Sequence, residues 1–249
     1  MKKYYLPPIG FGLFYQLGAL ENVINNENYE LYGSSGGAIV CLLSILKKED
    51  RDIFFLMNIT KKIRQKFYFN FYPYLNHFIK EVFIILDSYD NTYIEQKLKT
   101  IYIEVTEICH IFHLKRRFIQ PQNLIELKDL VISSCYLPFV FWHRNPFYYQ
   151  VKDKKYFDGF FGNFSNITND FIKIDSYQFA TIVPSTESKF VSDYQKGKMY
   201  NFQEKNKKFT LLSFVQISLK ILYDVCLYIP NNLSQKKKIA YIENAKLYS

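Results

Sequence analysis

Gly33-Ser34-Ser35-Gly36-Gly37 decides the fold reading of this 249-residue chain. Before it stands Tyr29-Glu30-Leu31-Tyr32, short and able to form a strand. After it runs Ala38-Ile39-Val40-Cys41-Leu42-Leu43-Ser44-Ile45-Leu46, small and apolar, which reads as a buried helix. Strand, tight turn and helix are the context of a G-x-S-x-G nucleophile elbow, with Ser35 at its tip and Gly33 and Gly37 flanking it. Glycine permits the strained turn and leaves no side chain over the serine hydroxyl. The helix N-terminus beside Ser35 would favour developing negative charge.

A nucleophilic serine needs a base. The histidines are His77, His110, His113 and His143, and none lies in the last 106 residues. An α/β-hydrolase triad runs serine, acid, histidine along the chain. Ser35, Asp90 and His143 can be written in that order, but the C-terminal region then has no catalytic role. A serine–carboxylate dyad is the better expectation, with Asp158 as the acid. Tyr156-Phe157-Asp158-Gly159 sets the aspartate after an apolar pair and before a glycine that lets the chain turn at a strand end. An ordinary Asp-Gly turn reads the same way locally.

A second glycine-rich segment lies near the N-terminus, at Pro8-Ile9-Gly10-Phe11-Gly12-Leu13-Phe14-Tyr15-Gln16-Leu17-Gly18-Ala19-Leu20. It reads as a strand end, a loop, and a helix with Leu17 and Leu20 inward. Backbone N–H groups at Gly10, Phe11 and Gly12 can face an oxyanion in such a loop.

A glycine loop, a G-x-S-x-G elbow and a late Asp-Gly, in that order, resemble the patatin-like phospholipase family, most closely its adipose triglyceride lipase-like branch. Tyr15-Gln16-Leu17-Gly18 matches the residues that follow the first loop in that branch. Leu98–Thr106 looks like the family's central strand, and Asn123–Phe139, with Ser134-Cys135-Tyr136-Leu137-Pro138-Phe139, looks like its helix ending in S-C-x-x-P-F. The resemblance is strongest over residues 4–185. It implies one domain over 1–249 with a three-layer α/β/α sandwich and a mostly parallel central sheet. It also implies a calcium-independent acyl hydrolase that needs no cofactor and no metal. Phospholipid or neutral lipid would be the substrate and a membrane or lipid-droplet surface the partner. Ser35 and Asp158 would form the dyad. Three departures stand against the family pattern. Leu13 replaces a usual glycine, Asp158-Gly159-Phe160 replaces D-G-G or D-G-A, and the Asn and Pro that normally follow survive only loosely at Asn163 and Ser165. A lipid-binding protein without turnover, or an acyltransferase using the same site, are the alternatives.

Composition sets the background. Hydrophobic residues make up 49% of the chain and support a full globular core. The 22 Tyr and 24 Phe, with abundant Lys, Asn and Ile, fit drift toward A/T-rich codons. Net charge is +9, which suits a solvated basic surface or attraction to anionic phospholipid. No helix-turn-helix, zinc-finger or RNA-binding signature accompanies it, so nucleic acid is not expected as a partner. Cys41, Cys109, Cys135 and Cys226 are scattered without C-x-x-C, which favours reduced thiols and a cytoplasmic setting. His110-Ile111-Phe112-His113 has H-x-x-H spacing but no neighbouring ligands to complete a zinc site. Pro7 and Pro8 interrupt any signal-like run after Met1-Lys2-Lys3, and no stretch of 18 uncharged apolar residues occurs.

Alternating strand and helix patterns predict strands at 4–9, 29–33, 100–107, 115–119, 155–158, 171–174 and 178–182. They predict helices at 13–25, 36–47, 50–65, 74–86, 91–97, 122–135 and 209–228. Such alternation means an α/β sheet whose site gathers at strand ends. Lys61, Lys62, Arg64 and Lys66 run into Phe67, Phe69 and Phe71, a basic-aromatic segment suited to a lipid interface. It can equally be a buried aromatic loop over an acyl cleft.

Overall fold

A computed structural model of the chain describes residues 1–26, 28–67, 71–110, 113–137, 148–159, 170–174 and 187–200. In chain order the elements are β1 (Lys2–Leu6), α1 (Leu13–Asn26), β2 (Tyr29–Ser34), α2 (Gly36–Leu43), α3 (Ile53–Phe67), α4 (Phe71–Leu86), α5 (Asn91–Leu98), β3 (Ile101–His110), β4 (His113–Ile119), α6 (Leu124–Ser134), β5 (Tyr149–Val151), β6 (Lys154–Asp158), β7 (Ile172–Lys173) and α7 (Glu187–Lys198). The expected α/β class holds. The expected strand 178–182 and helix 209–228 fall outside the described residues. Two elements go beyond the sequence reading, the short strand β5 and the polar helix α7.

The sheet is mixed. Its centre is parallel, with β7, β1, β2 and β3 side by side, and β4, β5 and β6 join antiparallel. β3 organises the rest. One edge pairs with β4 over Ile103–His110. The other edge is shared end to end: Ile101–Glu104 pair with β2, then Val105–Glu107 pair with β6. Two strands arriving from opposite directions therefore end against the same stretch of β3. Ser34 faces Glu104, and Asp158 faces Val105.

Cross-strand partners share a face of the sheet. One face carries Tyr4, Leu6, Leu31, Gly33, Ile101, Ile103 and Val105, all within the buried core where they are apolar. Burial of each large aliphatic there contributes about 1.5–3 kcal/mol. Helix α2 packs on this face and is buried on every side, as its uniformly apolar sequence requires. Gly33 and Gly37 permit the contact: a Cβ on Gly33 would lie 2.4 Å from Gly37 O, and one on Gly37 would lie 2.2 Å from Leu6 O. The opposite face is aromatic and charged. Tyr5, Tyr32 and Tyr102 form one rung, with Tyr32 and Tyr102 stacked at 4.5 Å, and Phe118 and Phe171 pack edge-on to Tyr32.

Helix α7 rests on α1 through small residues that its polar sequence does not advertise. A Cβ on Gly18 would lie 2.1 Å from Tyr194 O, and one on Gly197 would lie 2.1 Å from Tyr15 O. Phe14 and Phe190 fill the space beside the crossing, their ring centres 4.4 Å apart. No helix among the described residues is long and apolar enough to cross a membrane.

Candidate active site

Strand β2 ends at Ser34 and α2 begins at Gly36, so Ser35 must reverse the chain alone. It does so at φ 52° and ψ −118°. A non-glycine residue there costs about 1–3 kcal/mol and persists only where surrounding contacts over-determine it. Those contacts are visible. The Ser35 N–H donates to Ser134 Oγ at 2.8 Å, and the Cys135 thiol donates to Ser35 O at 3.2 Å. Ala38 N–H and Ile39 N–H also donate to Ser35 O, starting helix α2.

Asp158 closes β6 and is fully buried. The Ser35 hydroxyl donates to its Oδ2 at 2.7 Å. Register explains the meeting: Asp158 shares its rung with Val105, so its side chain stands on the α2 face where the elbow turns. Its backbone is fixed on both sides. Asp158 N–H donates to Tyr136 O at 2.9 Å, and the Thr106 hydroxyl donates to Asp158 O at 2.9 Å. Gly159, next in the chain, is packed so tightly that a Cβ would lie 2.5 Å from Ser34 Oγ and 2.8 Å from Glu104 O. The glycine after Asp158 thus also permits a close contact with β2 and β3.

The N-terminal glycine loop touches the elbow directly. Gly10 takes φ 55°, and a Cβ on Gly36 would lie 2.3 Å from Gly10 O. Only glycine fits at Gly36, and only glycine adopts the Gly10 conformation cheaply. Gly12 differs from expectation: its N–H donates to Ile9 O at 3.1 Å and closes a turn. The first turn of α2 adds N–H groups that have no partner within the helix. Beside the loop lies a narrow apolar pocket lined by Phe11, Leu13, Phe14, Ile39, Thr60, Leu75 and Phe78. Ile39 is one helical turn from Ser35, about 6 Å along the axis, so the pocket lies beside the elbow.

Of the alternative triad Ser35, Asp90 and His143, only the first two are among the described residues. Asp90 is the N-cap of α5, accepting from Thr92 N–H and Tyr93 N–H. Those backbone bonds, the one from Tyr93 first, hold its exposed carboxyl below the ordinary range. His110 and His113 pair at the far end of the β3–β4 hairpin. That is five residues past Val105, about 16 Å at strand rise. His77 lies half-buried on α4, and His143 is outside the described residues. No cluster of three metal-ligating side chains occurs among the described residues.

One rung from Asp158, on the opposite face, Glu104 is also buried. It pairs with Arg116, and Tyr5 OH donates to its Oε2 at 2.7 Å while accepting from Arg116 Nη2 at 3.0 Å. Burial pushes the Glu104 carboxyl up, and Arg116 and Tyr5 pull against it. Burial first, and then the Asp158 charge, push the Cys135 thiol well above its usual value, so it stays a thiol. Sequence reasoning passed over Glu104, Arg116 and Thr106. It quoted Ser134, Cys135 and Tyr136 only as part of a family likeness. The available signal is that this triplet spans the end of a helix, where backbone groups of other segments need partners.

The basic-aromatic segment is split. Lys61 and Lys62 are exposed on α3, while Ile63 between them and Arg64 is buried. The backbones of Arg64, Lys66 and Phe67 continue α3, and Phe71 opens α4. The side chains of those four residues, and all of Phe69, lie outside the described residues. No protein-family model and no curated protein matches this chain.

Proposed function

We propose that the protein is a serine acyl hydrolase of the patatin-like type, with the three-layer sandwich of that family, cleaving fatty-acyl esters of glycerolipids. The observation that carries the reading is the Ser35 hydroxyl donating at 2.7 Å to a fully buried Asp158 from a left-handed backbone at a strand–helix turn. Asp158 Oδ2 takes the Ser35 proton as Oγ attacks the ester carbonyl. The developing oxyanion meets N–H groups of the glycine loop at Gly10 and of the first turn of α2, whose dipole adds to them. The alcohol leaves with the proton from Asp158, giving an acyl-enzyme. Water then attacks, Asp158 accepts its proton and returns it to Ser35, and the fatty acid departs.

Exposed Lys61 and Lys62 on α3, the helix that lends Thr60 to the pocket, support peripheral association with an anionic lipid surface in the cytoplasm. The test is a fluorophosphonate probe with peptide mapping, alongside fatty-acid release from mixed micelles. Covalent label on Ser35 together with release of acid is the expected result. A folded protein that takes no label and releases no acid would overturn the reading.

A further inference from the structure

Helix α6 ends in three consecutive residues that each bind the backbone of one of the two reacting residues. The Ser134 hydroxyl accepts from Ser35 N–H, the Cys135 thiol donates to Ser35 O, and Tyr136 O accepts from Asp158 N–H. Ser134 is placed differently from the other two. Its hydroxyl also donates, at 2.6 Å, to Glu104 O on β3. Glu104 is the rung partner of Ser34. The fully buried Ser134 hydroxyl therefore closes a bridge from the central strand to the amide of Ser35, whose backbone takes φ 52°. We propose that Ser134 is a positioning residue that sets the aim of the Ser35 hydroxyl at Asp158.

The argument rests on the reading of Ser35 as nucleophile. A hydroxyl is the smallest group able to accept one hydrogen bond and donate another at a single atom. Alanine would strip the partner from the Ser35 amide and cut the tie to Glu104 O together. The elbow would then relax toward ordinary backbone angles, and Oγ would swing away from Asp158. Misplacement of about 1 Å at a reacting atom costs about 100-fold in rate.

Ser133 supplies the control. It is buried on the same helix turn, and its hydroxyl donates to Asp129 O at 2.7 Å, within the helix and away from both reacting residues. The experiment compares wild type, Ser134→Ala, Ser134→Thr and Ser133→Ala by fluorophosphonate labelling rate, by kcat and KM on a soluble short-chain ester, and by melting temperature. Ser134→Ala should label about 10- to 100-fold more slowly, with kcat falling in step and KM within about twofold. Ser133→Ala should lose similar thermal stability and label at the wild-type rate. Ser134→Thr retains the hydroxyl and should label within about threefold of wild type. If Ser134→Ala does not fold, Ser134→Thr carries the test, and a loss beyond tenfold in that folded variant overturns the proposal. Ser134→Ala labelling as fast as a reactive wild type overturns the proposal alone. A wild type that takes no label removes the nucleophile reading, and the proposal with it.

Discussion

Asp158 and Glu104 are both buried carboxylates on adjacent rungs of β3's pairing, and they have been given opposite work. Asp158 stands on the apolar face and receives a serine hydroxyl. Glu104 stands on the aromatic face and receives a guanidinium and a phenol. A carboxylate held by a guanidinium has its charge compensated and its oxygens already occupied. A carboxylate whose neighbour is a serine hydroxyl can take that proton and give it back. Burial alone does not mark a catalytic acid; the partner does. A shift of one residue in register turns a side chain to the other face, so the difference between the two roles is one step along the chain.

The sharpest way to break this contrast is to neutralise each acid in turn. Ser35→Ala and Asp158→Asn should each lower fatty-acid release by about 10⁴-fold, since the members of such a pair act as a unit. Far-ultraviolet circular dichroism should stay that of wild type. Residual turnover within about tenfold in either variant would take Asp158 out of the contrast. Glu104→Gln should do the reverse. It leaves the half-buried Arg116 guanidinium without its counter-charge and should lower stability in chemical denaturation. Activity per folded molecule should remain within a few-fold. A larger loss in turnover than in stability would mean that Glu104 takes part in the chemistry.

Gly36→Ala sharpens the comparison at the elbow. Its Cβ would press on Gly10 O and push apart the loop and the α2 terminus. Turnover should drop by about 10²-fold, the scale of one lost oxyanion donor, with little change in KM. A wild-type kcat would place the donors elsewhere. The smallest effect is expected farthest from both carboxylates. Lys61→Gln with Lys62→Gln should weaken sedimentation with anionic vesicles by about 1 kcal/mol per charge removed. Hydrolysis of a soluble ester should be unchanged. Equal vesicle binding by the variant and wild type would return α3's outer face to a merely solvated surface.

Much of this arrangement is legible locally. The run Tyr29–Leu43 reads as strand, turn and helix, and it folds so, because the fully apolar run Ala38–Leu43 after the glycines has to be buried. Asp158 was singled out by the glycine beside it, and that glycine does permit a close approach. Helix α7 escaped notice because its composition is polar and it carries Gly197, which lowers helix propensity. The same glycine is what lets it lie against α1. Sequence does not reveal which N–H groups a turn consumes, and the Gly12 N–H closes one onto Ile9 O.

The sequence by itself determined the order of most elements from β1 to β6, the glycine positions and the two residues worth asking about. These follow from hydrophobic spacing and backbone freedom, which act over a few residues. Only the tertiary structure decided that β2 and β6 end against one stretch of β3, 123 residues apart in chain at Ser35 and Asp158 yet joined by a hydrogen bond. It also decided which carboxylate met Arg116 and which met serine. Long-range strand register sets those partners, and register is the joint result of both faces of the sheet being buried at once.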